Sequence, residues 1–184
     1  LEKSCDDARK TVETLDRRGW TVATAESLTG GLIGAELTGM PGSSATFAGG
    51  VVAYATEVKR RALGVPAELL AEHGAVHPDV AAAMAAGVRD ALGATYGIAA
   101  TGVAGPEPQD GRPVGTVYVG VAGPEGPPVV AGPKLPVPGS GAEARGVIRR
   151  MTVVHALDLL RRLLLGLDVE DASGKARADR EDLA

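Results

Sequence analysis

Short apolar runs of β-branched or small residues alternate along this chain with helix-length segments, and several end in turns built from glycine and hydroxyl residues. Thr21–Ala25 leads into Glu26-Ser27-Leu28-Thr29-Gly30-Gly31, and Ile98–Ala100 leads into Thr101-Gly102-Val103-Ala104-Gly105-Pro106. Gly50–Ala55 reads as a buried strand followed by a charged helical turn through Glu57, Lys59, Arg60 and Arg61. Parallel strands need such crossover helices. Later, Val114–Val121 reads as a strand, and Val129–Val137 as its hairpin partner, confined to an edge by its prolines. The pattern predicts an α/β fold: a three-layer α/β/α single domain with a mixed, mostly parallel sheet.

The helices are marked by periodicity and punctuation. Cys5, Ala8, Val12 and Leu15 share one face of a helix over Ser4–Arg18, with Ser4 as its expected N-cap and Gly19 as its stop. Leu32–Leu37 follows Gly30-Gly31, and Pro66 and Pro78 stand where helices begin. Pro78–Leu92 is alanine-rich, and Ala142–Leu165 reads as a long last helix. The domain is expected over 1–166, with a charged tail over 167–184 expected to be disordered.

Composition narrows the function classes. Only five aromatic residues stand among 184, so the core is built from Ala, Val, Leu and Ile, and no stacking platform for single-stranded nucleic acid is available. The net charge is −4, and the segment from Asp168 onward carries most of it, which leaves no basic footprint for a nucleic-acid backbone. A single cysteine, Cys5, excludes a disulfide framework and a multi-cysteine zinc site, and is expected to be a small apolar residue of the first helix. No apolar run is long enough to span a membrane and the first residues are polar, so a soluble, cytoplasmic protein with no membrane partner is expected.

Phosphate and dinucleotide loops are missing, as is a Gly-x-Ser-x-Gly elbow. His73 and His77 are separated by Gly74-Ala75-Val76 with no glutamate between them, so no metal site is expected there. His155 is expected to be packed or interfacial. Open α/β sheets bind ligands beyond the carboxyl ends of their strands, and helix N-termini with bare glycine backbone can hold anions. Ser27, Thr29 and Ser44 therefore read either as helix caps or as contacts to a small anionic ligand. A serine nucleophile needs a base, and with poorly placed histidines the alternative is a lysine of lowered pKa. Lys59, beside Arg60 and Arg61, is the candidate, although spacing alone leaves open a solvated Lys59 and does not bring Ser44 to it.

Thr24-Ala25-Glu26-Ser27-Leu28-Thr29-Gly30-Gly31, Pro41-Gly42-Ser43-Ser44, Gly50-Val51-Val52-Ala53-Tyr54 and Lys59 occur in the order found in the CinA C-terminal domain family. Glu72–Val76, Thr101–Pro106 and Pro113–Tyr118 extend the resemblance over nearly the whole chain to about Leu165. The family includes stand-alone nicotinamide-nucleotide amidohydrolases. The resemblance implies hydrolysis of the carboxamide of nicotinamide mononucleotide to nicotinic acid mononucleotide and ammonia, without a cofactor. It implies a catalytic Ser44, Tyr54 and Lys59, and substrate contacts from Ser27, Thr101 and Arg145, with Thr29, Gly30, Gly102 and Gly105 as supporting backbone. A homo-oligomer, with a dimer favoured, is expected from the same source. Two stretches depart from the family pattern: Glu107–Arg112 replaces a glycine-rich run, and Glu143-Ala144 precede Arg145 in place of Gly-Asp. A second reading is a non-catalytic nucleotide-binding or regulatory module linked to competence or the DNA damage response. A third is the same hydrolysis on a related pyridine nucleotide or another small amide.

Overall fold

The computed structural model describes residues 2–139, 141–170 and 176–177. Five strands form the main sheet: β1 (Val22–Glu26), β2 (Phe47–Val52), β3 (Tyr96–Gly102), β4 (Val117–Ala122) and β5 (Val129–Ala131). Their order is β2-β1-β3-β4-β5. Around them run α1 (Glu2–Arg18), α2 (Leu32–Thr38), α3 (Ser43–Thr46), α4 (Thr56–Leu63), α5 (Ala67–His73), α6 (Pro78–Leu92) and α7 (Gly141–Leu164). A short ribbon of β6 (Val169–Glu170) and β7 (Ala176–Arg177) follows.

The three-layer α/β/α domain is present, and its sheet is mixed. β1 pairs in parallel with β2 and β3, whereas β3–β4 and β4–β5 are antiparallel. Four of the five strands run in one direction and β4 alone is reversed, because the connection from β3 to β4 carries no helix, and only a crossover element returns a strand in parallel.

The two faces of the sheet differ in bulk. Val22, Ile98, Val119 and Val121 face α1, α2 and α7 and join Leu15, Ile33, Ile148 and Leu157 in one core cluster. Ala23, Ala25, Ala99 and Ala122 face the other side, where Val80, Met84 and Val88 of α6 cover them. The small face lets α6 lie close to the sheet. A Cβ at Gly97 would stand 2.0 Å from the Ala85 carbonyl oxygen, and one at Gly120 would stand 2.8 Å from that of Ala81. In turn a Cβ at Gly87 would meet the Leu63 carbonyl oxygen at 1.9 Å, so α4 ends directly on α6.

Several local expectations change. Helix α1 begins before Ser4, which is buried inside it and is no N-cap. The buried stripe runs through Ser4, Ala8, Thr11, Val12 and Leu15, one position off Cys5, which is exposed. Strand β2 starts at Phe47 and is an edge strand with alternating exposure, because it pairs on one side only. Val169, within the stretch expected to be a disordered tail, is buried in the core, while 171–175 and 178–184 lie outside the described residues. Among the described residues no helix is long and apolar enough to cross a membrane.

Packing this close leaves no room for a methyl group. Gly97→Ala is expected to lower unfolding stability by about 3 kcal/mol or more, since α6 must shift to admit it. Urea denaturation measures this, and a loss below ~0.5 kcal/mol contradicts the packing described.

Candidate active site

The order β2-β1-β3 follows from two successive connections that cross on opposite faces of the sheet. The segment from β1 to β2 holds α2 and α3, and the segment from β2 to β3 holds α4, α5 and α6. A crevice therefore opens beyond the carboxyl ends of β1 and β3. Ser27 sits there, one residue past β1, its N–H bound to the Ala100 carbonyl at 3.0 Å. The next connection is pinned to the same point, since the Ala53 N–H donates to the Glu26 carbonyl at 2.9 Å. The cleft has a volume of about 320 Å³, and Ser27, Tyr54, Thr101, Gly102, Gly105 and Arg145 are among its lining residues.

Lys59 forms the floor of this arrangement. It is 1% exposed, although it belongs to a helix whose other charges, Glu57, Arg60 and Arg61, pair with one another on the outer face. Its Nζ donates to the Ala53 carbonyl at 2.7 Å and the Tyr54 carbonyl at 3.1 Å, and lies 3.0 Å from Ser27 Oγ. Burial pushes Lys59 down from 10.5 to about 8, against a smaller upward pull from the Asp110 carboxylate. When the amine is neutral it keeps two N–H donors and one lone pair. The two carbonyls can only accept, so they take the two donors, and the lone pair is left facing the Ser27 hydroxyl. This is the geometry of a serine whose proton can be removed.

Ser44 is not brought to this cleft. It lies in α3, exposed, just ahead of β2, and Phe47 is in register with Val22 at the start of β1. Ser44 is thus at the amino end of the paired strands and Ser27 at their carboxyl end, roughly 15 Å away at about 3.3 Å per strand residue. Tyr54 does reach the site, where it touches both Lys59 and Arg145. Its main-chain carbonyl holds Lys59, while its hydroxyl accepts from Arg145 at 2.8 Å. Arg145 also donates to the Gly105 carbonyl, so it straps the mouth of the cleft. The Thr101 hydroxyl donates to the Ala75 carbonyl at 2.7 Å and braces the cleft wall.

Thr29 and Gly30 stand outside the cleft. The helix start they were expected to offer to an anion is filled from within: the buried Glu26 carboxylate accepts from the Ile33 N–H at 2.8 Å and the Gly34 N–H at 3.0 Å. The Leu28 and Thr29 carbonyls accept from Arg149. Gly102 and Gly105 line the cleft and are required by close packing, because a Cβ would meet Val117 at 2.6 Å or Val114 at 2.9 Å.

His73 and His77 stack at 4.0 Å between ring centroids, with Asp79 beside them. His77 Nδ1 accepts from the Asp79 N–H at 3.1 Å and so caps α6. The rings are 11° from parallel, so their in-plane lone pairs run side by side and do not converge on one ion. His155 is half-buried on α7, and burial lowers its pKa.

Fold and site together define an α/β/α domain with a buried serine–lysine pair at the strand ends. The chain belongs to the CinA C-terminal domain family, whose profile matches residues 6–164. A CinA-like protein of Frankia casuarinae is 58% identical over 153 residues, covering 83% of this chain and 34% of that protein. Another, of Parasynechococcus marenigrum, is 50% identical over 161 residues, covering 82% of this chain and 35% of that protein. The chain thus spans about a third of the length of the curated relatives it matches. The crystal structure of the competence/damage inducible protein CihA from Agrobacterium tumefaciens aligns with a TM-score of 0.80 at 36% identity, covering 88% of this chain and 95% of that one. A CinA superfamily protein from Klebsiella pneumoniae also aligns at 0.80, with 32% identity and coverage of 88% and 98%.

The depressed lysine has a thermodynamic signature. Its charged form is disfavoured in the folded state, so the penalty is fully present below about pH 8 and is relieved as pH rises from there to 10.5. The stability of the wild type relative to Lys59→Met is expected to rise by roughly 3 kcal/mol from neutral pH to the ordinary lysine range. Denaturant unfolding of both proteins across that range measures it, and a pH-independent difference contradicts a depressed lysine.

Proposed function

We propose that this domain hydrolyses the carboxamide of nicotinamide mononucleotide, giving nicotinic acid mononucleotide and ammonia, with Ser27 as nucleophile and Lys59 as base. The observation that carries this reading is the 3.0 Å contact between Lys59 Nζ and Ser27 Oγ, with the other two directions of the nitrogen closed by carbonyls. The neutral amine takes the Ser27 proton as Oγ attacks the carboxamide carbon. The resulting ammonium returns that proton to the leaving nitrogen, ammonia departs, and an ester to Ser27 remains. Water then attacks the ester, Lys59 accepts its proton, and Ser27 is regenerated as the acid leaves.

Arg145 supports a nucleotide monophosphate as substrate. Two of its nitrogens hold Gly105 and Tyr54 at the mouth, and a guanidinium has five N–H donors, so capacity remains for a phosphate. The family membership supports a CinA-type activity, and amide hydrolysis is among the acyl transfers that a serine with a neutral lysine can perform.

Ammonia release from nicotinamide mononucleotide, with free nicotinamide and NAD alongside, tests the reading. Ser27→Ala and Lys59→Met are expected to lose activity by ~10²-fold or more, while Ser44→Ala stays within about twofold of wild type. The rate should climb as pH rises toward about 8, where Lys59 loses its proton, and level off above it. Binding of the nucleotide without ammonia release would favour a regulatory module, and loss of activity in Ser44→Ala alone would overturn the assignment of Ser27.

A further inference from the structure

The segment between Gly105 and Pro113 carries no helix or strand of the main sheet, yet it has a defined geometry. Gln109 and Arg112 exchange both main-chain hydrogen bonds, at 3.1 and 2.8 Å, around the pair Asp110-Gly111. Asp110 and Gly111 have φ of 51° and 72°, positive at both central positions as in the two-residue hairpin turn that Asp-Gly favours. The result is a small flap, with Glu107 and Gln109 lining the cleft.

At its tip the Asp110 carboxylate accepts from the Ala75 N–H at 3.0 Å. Contact there is close, since a Cβ at Gly74 would stand 2.7 Å from Asp110 Cβ and Cγ. Ala75 and Val76 are cleft wall, and the other end of the Ala75 residue is held by Thr101 through its carbonyl. One residue is therefore gripped on its N–H by the flap and on its C=O by the end of β3.

We propose that Asp110 is a positioning residue of this site: its carboxylate latches the flap to the Gly74–Ala75 turn and sets a negative charge within reach of Lys59. The catalytic consequence rests on the Ser27–Lys59 reading above. Other charged groups near the lysine are engaged elsewhere. Glu57, Arg60 and Arg61 pair on α4, Glu26 caps α2, and Arg145 of α7 holds Tyr54 and Gly105. On α6, Asp79 faces His77, and Arg89 pairs with Asp90 at the far end. His73 and His77 stack on each other beside the turn, and Glu107 lies on the flap. Of all these it is the Asp110 charge that acts on Lys59, favouring its ammonium. A closed latch thus shapes the cleft while keeping the lysine less basic-form-rich than burial alone would make it.

Two substitutions separate the latch from the charge. Asp110→Asn keeps both the turn preference and an oxygen acceptor for Ala75, and removes the charge. Asp110→Gly keeps the turn and removes both. Amide hydrogen exchange at Ala75 and titration of the Lys59 side chain by NMR read the two effects without any substrate. Exchange at Ala75 is expected to quicken by about tenfold or more in Asp110→Gly and to remain protected in Asp110→Asn. Lys59 is expected to titrate ~0.5 pH unit lower in both variants. With nicotinamide mononucleotide, both should move the rising limb of the rate to lower pH, and Asp110→Gly alone should raise KM several-fold. Unchanged Ala75 exchange in Asp110→Gly, or an unchanged Lys59 titration in Asp110→Asn, overturns the proposal. If exchange and titration behave as expected while wild type releases no ammonia, the latch stands and the amide reaction is what fails.

Discussion

A lysine nitrogen enclosed by two main-chain carbonyls and one serine hydroxyl is the interaction around which this domain is arranged. Both carbonyls belong to consecutive residues, Ala53 and Tyr54, just after β2, and the hydroxyl stands one residue beyond β1. Neighbouring parallel strands thus deliver their carboxyl ends to one point, and α4 supplies the lysine to it. Burying an ammonium is unfavourable unless its donors are met, and here three acceptors meet them. The remaining desolvation brings the lysine's proton affinity close to the range where it can be lost in water near neutrality.

Placement of α4 depends on residues far from the chemistry. Alanine and glycine on one face of the sheet bring α6 against the backbone of β3 and β4, and Gly87 brings the end of α4 against α6. The opposite face, built from valine and isoleucine under α1, α2 and α7, carries the bulkier core. A larger residue at Gly97 or Gly87 would displace the layer that holds Lys59, so the small residues of this face are linked to the site through packing. The mouth is closed by polar contacts instead: Arg145 to Tyr54 and Gly105, and Asp110 to Ala75.

Much of the architecture was legible in the residue pattern because it depends on local periodicity. The alternation of short strands with amphipathic or alanine-rich segments marked the helices, and Pro78 and Gly19 stood at the boundaries expected of them. What was not legible depends on which strand neighbours which. β2 resembles a buried strand in composition and lies at an edge, and the β3–β4 junction turns antiparallel for want of a helix. The serine shows this most clearly. Ser27 and Ser44 are both hydroxyls close to glycine, but Ser27 follows a strand and Ser44 precedes one, and parallel pairing puts those two positions at opposite ends of the strands. The rule that sites gather beyond the carboxyl ends of strands would have chosen Ser27. Asp110 carried a readable signal too, since Asp-Gly favours a tight hairpin, but its partner, 35 residues away on the Gly74–Ala75 turn, did not.

Covalent labelling of the serines tests the central claim most directly. Incubation with a small serine-directed organophosphorus fluoride across a pH series, followed by peptide mapping, reports which hydroxyl is activated and by what. The account predicts modification at Ser27, faster as pH rises toward about 8 and abolished in Lys59→Met, with Ser44 unlabelled. Labelling of Ser44, or labelling of Ser27 at a rate indifferent to pH and to Lys59, would contradict it.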